Sequence, residues 1–274
     1  MKVIVVVKRS TWEQYHQNPG LFGKLNRESL RRAKTSHDRQ EKSSAFVFDA
    51  FHKLGVKPWV VNGPETAFDS SNASLVVCVG GDGTLLSASH HVGKETPLLG
   101  INNDPTSSRG HFCAGAGPAA HRLLDEFLAQ RSQAKKITRM TIKVGGKVVS
   151  RRILNEALFS HTCPAAMTRL TLYGDKFACS GVWVGTGAGS TGAIASAGGK
   201  VLPPTSRSLQ AVIREHCGAQ AGRTSPWFLD RSFTLVSKTA DATLYLDGPF
   251  LRVPVGYDQK VDFQVSDDPL SLVV

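Results

Sequence analysis

The sequence predicts an α/β domain over residues 1–134, followed by a mostly antiparallel β domain over residues 135–274. In the first part, short apolar runs alternate with helical patterns, which is typical of a parallel sheet covered on both faces. After residue 135, β-rich segments separated by turn residues replace this alternation. The chain has 274 residues, more than a single small core usually holds, and this also favours two domains.

Four short apolar runs, rich in β-branched residues, are predicted to be the strands of the first domain. They are Val3–Val7, Trp59–Val61, Leu75–Val79 and Pro97–Ile101. Runs that are apolar throughout are typical of strands buried on both faces. A strand also explains the N-terminus better than a signal peptide does, because only five apolar residues precede the next charge.

Three helices are expected between and after these strands. Residues 39–54 carry an apolar stripe at helical spacing, and Gly55 stands where a helix C-cap is expected. The stripe consists of Phe46, Val47, Ala50, Phe51 and Leu54. Further helices are predicted over 84–92 and 118–131. The polar, basic segment 16–44 is predicted to be partly loop.

The second half begins with strands joined by a Gly145-Gly146 turn, which predicts a two-residue hairpin. Small residues interrupt the β-rich pattern over 185–199. Residues 187–192 fit G-x-G-x-x-G, but we reject a dinucleotide fingerprint because Gly198-Gly199 interrupts the following helix and residues 208–213 contain no acid. A backbone-lined ligand surface and a tight packing seam both fit this segment.

Composition places the chain among soluble globular proteins, with 41% hydrophobic and 20% charged residues. No stretch approaches the roughly 18 apolar residues of a membrane span, so no membrane partner is expected. The five cysteines form no CxxC pair, which argues against a disulfide framework or a zinc ribbon and for a reducing compartment. We expect a cytoplasmic protein, or a mitochondrial matrix protein for a processed organellar form.

The net charge of +11 is concentrated early, since residues 8–57 carry eleven Lys and Arg against five acids. This balance favours anionic partners such as nucleotides, although a solvated basic face is the commoner explanation of such a charge excess. The basic residues are not interleaved with a dense aromatic set, so no nucleic-acid partner is expected.

The most informative stretch is "GGDGT" at residues 80–84, which follows a buried strand and opens a helix. Glycines and a helix N-terminus let backbone N–H groups approach phosphate oxygens. Asp82 in such a loop can hold a divalent metal or accept a proton from an attacking hydroxyl. The alternative is an ordinary turn with an aspartate cap. No Walker-type GxxxxGK[ST] sequence is present.

Four motifs occur together in the order typical of the NAD kinase family. They are "GGDGT" (80–84), "LNE" (154–156), "TGAGSTG" with "SAGG" (186–192, 196–199) and "LDG" (246–248). The chain resembles this family, and "GINNDPTSSRGHFC" (100–113) is similar to its mitochondrial-type branch. The resemblance implies a flavodoxin- or phosphofructokinase-like parallel sheet, a C-terminal β-sandwich, and a last segment that returns to the first domain.

The resemblance also implies a reaction, in which the ATP γ-phosphoryl group passes to the 2′-hydroxyl of the NAD adenosine ribose to give NADP. Asp82 would be the general base, and Mg²⁺ would bridge the phosphates without a separate metal site on the protein. The phosphate-binding residues would be Gly80, Gly81, Gly83 and Thr84. The NAD-binding residues would be Asn102, Asn103, Asp104, Phe112, Asn155, Glu156, Ser180, Thr191 and Ser196. By family analogy we expect a homodimer or homotetramer.

Two departures from the family pattern keep alternatives open. Ser180 and Ala193 stand where most bacterial members have Asp and Tyr, which fits a non-catalytic NAD(P)-binding protein, although the intact Asp82 argues against it. A lipid kinase of the diacylglycerol or sphingosine type also has a GGDGT loop and an Asn-Asp pair. The "LNE" and "GTGAGSTG" elements favour the NAD kinase reading over the lipid kinase.

Overall fold

A computed structural model describes residues 1–18, 20, 24–63, 65–217 and 227–274 of the chain. The chain divides into two compact units. Unit 1 contains residues 1–135 together with 271–274, and unit 2 contains residues 136–270. Each unit has a hydrophobic core of its own. The last four residues therefore belong to the first unit although they follow the second in sequence.

Unit 1 is built on a parallel sheet with the strand order β2-β1-β3-β4-β19-β6, and β5 pairs with β4. Its strands are β1 (Val3–Val7), β2 (Trp59–Asn62), β3 (Leu75–Val79), β4 (Pro97–Asn102), β5 (Gly115–Ala116), β6 (Ala134–Ile137) and β19 (Leu270–Val273). The pairs β1–β2, β1–β3, β3–β4 and β4–β19 are all parallel. All four predicted strands are present, and the expected parallel α/β sheet is confirmed.

Four helices accompany this sheet in the described part of unit 1. They are α1 (Thr11–His16), α2 (Arg27–Lys53), α3 (Asp82–Ser89) and α4 (Ala120–Leu128), the last preceded by a 3-10 turn at Gly117–Ala119. The two helices predicted over 84–92 and 118–131 exist, but both end three residues earlier than expected. Gly55 adopts a φ of 66° directly after the C-cap of α2, as the sequence predicts.

Helix α2 begins twelve residues before the predicted start at residue 39. Within the segment 16–44, predicted to be partly loop, residues 17–18 and 24–26 are non-helical, and 27–44 are helical. The Asn26 side chain caps the helix by accepting a hydrogen bond from the Ser29 N–H. Ion pairs at i,i+4 spacing follow along the exposed surface: Glu28–Arg32 and Asp38–Lys34. The N-cap and the exposed charge pairs provide no apolar stripe, so hydrophobic periodicity does not indicate a helix over residues 27–38. Residues 19 and 21–23 lie outside the described residues.

The core of unit 1 lies between one face of the sheet and helices α2 and α4. Alternate strand residues point into it, and they meet Val47, Ala50 and Phe51 of α2 and Leu123 of α4. The strand residues are Val3, Val5, Leu75, Val77, Val79, Leu99 and Ile101. Phe46 was expected on this buried stripe but is 41% exposed, because it points away from the sheet.

Unit 2 is a β-sandwich of two six-stranded sheets. Its strands are β7 (Met140–Val144), β8 (Lys147–Ile153), β9 (Glu156–His161), β10 (Thr168–Leu172), β11 (Asp175–Cys179), β12 (Gly181–Gly185), β13 (Leu209–Arg214), β14 (Trp227–Asp230), β15 (Ser232–Ser237), β16 (Ala242–Leu246), β17 (Leu251–Val255) and β18 (Lys260–Val265). The orders are β11-β10-β15-β18-β7-β8 and β14-β13-β12-β9-β16-β17, and the paired strands are antiparallel. A shared apolar core contains residues of both sheets. The predicted antiparallel β-sandwich and the Gly145-Gly146 hairpin are confirmed.

The small-residue segment of unit 2 forms a 3-10 turn at Ala188–Thr191 and a four-residue helix α5 (Ala193–Ser196). So short a helix supports the rejection of a dinucleotide fingerprint. All five cysteines are free thiols. Of the helices in the described part of the chain, none combines the length and apolarity that a bilayer-spanning helix requires.

Candidate functional site

The strand order of unit 1 determines where a ligand can bind. The chain runs from β1 outward to β2 and then returns past β1 to β3, so the order reverses between β1 and β3. In open α/β sheets, ligands bind outside the carboxyl ends of strands at such a reversal. The residues that follow β1 and β3 are Lys8-Arg9 and the GGDGT loop. Both segments therefore lie at the expected ligand-binding edge.

A cavity of about 350 Å³ opens at this edge, and we call it the loop cavity. It is lined by Lys8, Arg9, Gln14, Glu65, Gly81, Asp82, Gly83, Thr84 and Ser108. Three of the four predicted phosphate-binding residues and the predicted base are therefore brought together. Two of the lining side chains, Lys8 and Arg9, are positively charged, as a phosphate site requires.

The glycines of the loop have different structural roles. A Cβ at Gly80 would lie 2.4 Å from Thr84 Oγ1, and one at Gly81 would lie 2.5 Å from Ser108 Oγ. A Cβ at Gly83 would meet nothing within 4 Å. Gly80 and Gly81 therefore permit close packing of the loop, while Gly83 leaves open space at the helix N-terminus, where an anion binds favourably.

The Asp82 carboxylate is fixed by two backbone groups of the loop that follows β4. Oδ2 accepts a hydrogen bond of 3.0 Å from the His111 N–H, and Oδ1 accepts one of 2.9 Å from the Phe112 N–H. Asp82 is the first residue of helix α3 and directly follows the N-cap Gly81. Each oxygen retains a further lone pair, so the oriented carboxylate can still accept a proton from a hydroxyl or contact a cation.

Asp104, predicted to contact NAD, is held by side chains of its own unit. Its carboxylate accepts hydrogen bonds from Ser36 Oγ at 2.8 Å, Thr106 Oγ1 at 2.6 Å and Arg39 Nε at 3.0 Å. Burial raises the pKa of the Asp104 carboxyl, but these hydrogen bonds outweigh it and hold the pKa well below its usual range. Asp104 therefore ties its loop to helix α2.

The two asparagines before Asp104 differ in their contacts. Asn102 accepts a hydrogen bond from the Asp104 N–H at 3.0 Å and donates one to Ser108 O at 3.0 Å, so it shapes the loop. Asn103 is 3% exposed, and its Nδ2 has no hydrogen-bond partner among the described residues. A buried amide donor without a partner is costly and therefore points to a ligand.

In unit 2, the "LDG" and "LNE" motifs meet through one carboxylate. Asp247 is 3% exposed, and its oxygens accept hydrogen bonds from the N–H groups of Leu154 at 2.9 Å, Asn155 at 2.8 Å and Glu156 at 3.1 Å. Its φ of 46° lies in the left-handed region, which Asp tolerates better than most residues. Asp247 therefore fixes the backbone on which Asn155 and Glu156 are presented.

The small-residue segment packs closely against this turn. A Cβ at Gly189 would lie 2.5 Å from Asn155 O and 2.7 Å from Glu156 Oε2. The buried Ser190 hydroxyl donates to Gly187 O at 2.7 Å, so it is used internally. For these residues the packing-seam interpretation is the right one. Thr191 and Ser196 are exposed and remain accessible to a ligand.

Two of the NAD-binding residues predicted in unit 2 carry buried polar atoms without a partner among the described residues: Asn155 Oδ1 and Ser180 Oγ. Ser196 lines a cavity of about 400 Å³ together with Trp183, Ala193, Ala197, Arg214 and Glu215. The Arg214 guanidinium lies 5.7 Å from the centroid of the Trp183 ring. Since Ala193 is small, this cavity stays open beside the indole. Polar groups without protein partners are available for a ligand.

Comparison with known proteins decides the family. A model of the ATP-NAD kinase N-terminal domain matches residues 22–132. A protein named NADH kinase from Arabidopsis thaliana is 34% identical over 240 residues, which are 73% of this chain and 72% of that protein. The chain belongs to the NAD kinase family.

Another family member, named probable NADH kinase, from Oryza sativa subsp. japonica, is 38% identical over 169 residues. That match covers 53% of this chain and 52% of the rice protein, so the chain spans about half the length of this relative. Two solved structures share the fold over 100% of this chain. They are an Archaeoglobus fulgidus NAD kinase in complex with ATP (TM-score 0.68, 19% identity, 94% of that chain) and yeast NADH kinase complexed with NADH (TM-score 0.71, 14% identity, 83% of that chain).

Sequence reasoning missed Lys8, Arg9 and Glu65 as members of the loop cavity. Arg9 Nη1 lies 3.2 Å from Glu65 Oε1, and the two side chains are 43% and 61% exposed. A signal for the cations was present, because both directly follow a predicted strand at the ligand-binding edge. Lys8 and Arg9 lie close to the GGDGT loop because β1 pairs with β3. This pairing cannot be predicted from local sequence patterns.

No group of three or more His, Cys, Asp or Glu residues suited to a metal occurs in the part of the chain that the structure describes. The loop cavity does contain the Asp82 and Glu65 carboxylates. Mg²⁺ commonly binds through one or two carboxylates together with substrate phosphates. These residues therefore fit an ion that arrives with a nucleotide.

Exchange of Gly83 for Ala should separate ligand binding from folding. The new methyl group enters the open loop cavity and raises KM for ATP, while the helix gains about 0.5–1 kcal/mol of stability. Gly80→Ala is the matched control, because its methyl group clashes with the buried Thr84 and destabilises the protein by about 1–3 kcal/mol. Thermal unfolding and ATP titrations measure both effects. Gly83→Ala with unchanged KM for ATP would exclude phosphates from this side of the loop.

The Glu156 carboxyl should make the free energy of unfolding depend on pH. Burial, and after it the nearby Asp247 carboxylate, raise the pKa of Glu156 from its ordinary value of 4.5 to about 7. The folded chain therefore holds a proton that the unfolded chain releases, and stability contributed by Glu156 falls as pH rises from about 4.5 to about 7. Urea unfolding across this range should show wild type losing stability relative to Glu156→Gln. Parallel pH profiles of the two proteins would contradict this prediction.

Proposed function

We propose that this chain transfers the γ-phosphoryl group of ATP to the 2′-hydroxyl of the adenosine ribose of NAD, giving NADP. The observation that carries the proposal is the geometry around Asp82. Its carboxylate is fixed by two backbone N–H groups, and it lies beside Lys8 and Arg9 in a cavity at the reversal of strand order. We infer the reaction from membership of the NAD kinase family, and the geometry around Asp82 is suited to it.

Asp82 would orient the attacking hydroxyl and accept its proton as the oxygen–phosphorus bond forms and ADP departs. A carboxylate is a weak base for an alcohol, but in a loose transition state the proton moves late, so orientation contributes more than basicity. The two backbone hydrogen bonds supply this orientation. Gly81, Gly83, Thr84 and the two cations would bind the phosphates electrostatically. Mg²⁺, when bound with the nucleotide, would neutralise phosphate charge.

The NAD-binding assignments rest on unfilled hydrogen-bonding capacity. Asn103 in unit 1 and Asn155 and Ser180 in unit 2 each carry a buried polar atom without a partner among the described residues. These three, with Glu156, are the strongest candidates for contacts to NAD. Thr191 and Ser196 are exposed and also available, while Asn102 and Asp104 are proposed to act by shaping their loop. Phe112 contributes its backbone N–H to Asp82, and its ring stays a candidate wall for NAD.

The relatives also bear on the identity of the acceptor. The rice and Arabidopsis proteins are named NADH kinases, so we include NADH beside NAD⁺ as an acceptor. Neither the lipid kinase nor the non-catalytic alternative receives support from the named relatives. Four properties stay predictions: membership of the mitochondrial-type branch, assembly as a homodimer or homotetramer, the requirement for Mg²⁺, and the cytoplasmic or mitochondrial location.

Acceptor choice tests the proposal. The purified chain is incubated with γ-labelled ATP, Mg²⁺ and, in separate reactions, NAD⁺, NADH, diacylglycerol or sphingosine. We expect label in NADP⁺ or NADPH and none in the lipids. Label in a lipid alone would establish the lipid kinase, and tight NAD binding without any labelled product would establish the non-catalytic protein.

A further inference from the structure

A buried glutamine on helix α2 has a hydrogen-bond acceptor that the described part of the protein does not use. Gln40 is 5% exposed, and its Oε1 atom is buried without a hydrogen-bond partner among the described residues. The same side chain donates from Nε2 to Ser36 Oγ at 3.0 Å. One half of the amide is therefore satisfied within the protein and the other half is not. A buried polar atom without a partner costs free energy, so Oε1 points to a ligand.

The orientation of the Gln40 amide follows from the hydrogen bonds around Ser36. The Ser36 hydroxyl has one proton, which it donates to Asp104 Oδ2 at 2.8 Å. Asp104 also accepts from Arg39 Nε at 3.0 Å, so it is a carboxylate with no proton to give back. Ser36 Oγ can therefore only accept from Gln40, and the amide atom that faces it is the nitrogen. Turning the amide over would place two acceptors against each other, so Oε1 is the atom without a partner.

A second unused group belongs to the same hydrogen-bonded cluster. Asn103, which directly precedes Asp104, is 3% exposed, and its Nδ2 has no partner among the described residues. Asp104 connects this asparagine to Ser36 and, through Ser36, to Gln40. The cluster reaches the protein surface at Arg39, whose side chain is 44% exposed. One cluster therefore holds an unused acceptor and an unused donor, and a ligand can approach it from solvent.

An unused acceptor together with an unused donor fits a ligand group in which an N–H lies beside a lone pair. The carboxamide of nicotinamide has this arrangement, and so does the edge of adenine, where the 6-amino group lies beside a ring nitrogen. An ionised phosphate offers acceptors only, so it cannot satisfy Gln40 Oε1. Both suitable groups occur in NAD, to which Asn103 is already a candidate contact.

We propose that Gln40 determines specificity for the dinucleotide, because its Oε1 accepts a hydrogen bond from an amino group of bound NAD. That group is the carboxamide NH₂ of nicotinamide or the 6-amino group of adenine. Gln40 belongs to none of the four sequence motifs, so motif spacing does not reveal this role. The inference rests on the proposed function for the identity of the dinucleotide, but the discrimination it describes is measured by binding alone, without ATP.

Calorimetry of the full chain with three dinucleotides tests the inference. NAD⁺ carries both amino groups, nicotinic acid adenine dinucleotide lacks the carboxamide NH₂, and nicotinamide hypoxanthine dinucleotide lacks the 6-amino group. Wild type should bind one of the two analogues at least about tenfold more weakly than NAD⁺, because the buried acceptor then stays unpaired. The more weakly bound analogue identifies the amino group. Equal affinity of wild type for all three dinucleotides would overturn the inference.

Gln40→Met separates recognition from a general disturbance of the fold, because methionine fills a similar volume and has no strong acceptor. The variant should bind NAD⁺ about tenfold more weakly and the more weakly bound analogue unchanged, so the discrimination disappears. Lys42→Met is the matched control at an exposed position of the same helix and should discriminate as wild type does.

Thermal unfolding without ligand verifies that each variant is folded, and Gln40→Leu replaces Gln40→Met if the latter folds poorly. Discrimination that persists in the folded Gln40 variant, or equal losses of affinity for all three dinucleotides, would overturn the inference.

The outcomes separate this inference from the proposed function. Loss of discrimination in the Gln40 variant, without NADP formation by wild type, would retain the role of Gln40 and refute the kinase. NADP formation by wild type, with unchanged discrimination in the Gln40 variant, would retain the kinase and refute the role of Gln40.

Discussion

Asp82→Asn is expected to lower kcat for NADP formation by about 10²- to 10⁴-fold, the usual contribution of a positioned general base. The amide oxygen can still accept one of the two hydrogen bonds from the His111 and Phe112 N–H groups, but the amide nitrogen cannot accept the other. The variant therefore loses both the proton acceptor and part of its orientation. The measurement is steady-state turnover with saturating NAD⁺ and ATP.

The control for Asp82→Asn is Asp175→Asn, the same exchange at an exposed position of β11. Its kcat should equal that of wild type. Calorimetric titration of Asp82→Asn with AMP-PNP should show affinity close to that of wild type, because the glycines, Lys8 and Arg9 are unchanged. Turnover of Asp82→Asn within a few-fold of wild type would show that this carboxylate is not the base.

Asp247→Ala is expected to have the largest effect on stability, about 3–6 kcal/mol. Three backbone N–H groups lose their acceptor. The buried Leu154 N–H left without a partner costs about 1–3 kcal/mol, and the part-buried N–H groups of Asn155 and Glu156 cost roughly 0.5–1 kcal/mol each. Alanine also tolerates the φ of 46° poorly, which adds roughly 1 kcal/mol. The free energy of unfolding is measured by urea titration followed by circular dichroism.

Asp247→Asn is the informative companion variant. Asn adopts the left-handed conformation readily, and its amide oxygen can keep the two hydrogen bonds that Oδ1 accepts from Asn155 and Glu156. Its destabilisation should therefore be smaller than that of Asp247→Ala. A loss in Asp247→Ala of under about 1 kcal/mol would contradict the role of Asp247 as the residue that fixes the "LNE" turn.

The pattern of apolar residues in the sequence made most of the fold predictable. The apolar runs at Val3–Val7 and Leu75–Val79 are buried along nearly their whole length, and such runs identify parallel strands directly. The first twelve residues of α2 were missed because its cap and exposed ion pairs provide no apolar periodicity to detect. The strand order was also beyond local patterns, since it depends on pairings between distant segments.

The candidate site was predictable only in its motifs. Glycines and a single aspartate after a strand pointed to Asp82, but the groups that hold its carboxylate are backbone N–H groups at His111 and Phe112. Backbone groups carry no sequence signature. In the same way, the interaction of Asp247 with the "LNE" turn joins segments about ninety residues apart, and side-chain identity alone cannot reveal it.

Phosphate transfer to NAD is tested by a single coupled assay. The purified chain is mixed with NAD⁺, ATP and Mg²⁺, and NADP⁺ is detected with an NADP-specific dehydrogenase. We expect NADP⁺ to accumulate in proportion to the amount of wild-type protein. No NADP⁺ from folded protein that binds both substrates would contradict it.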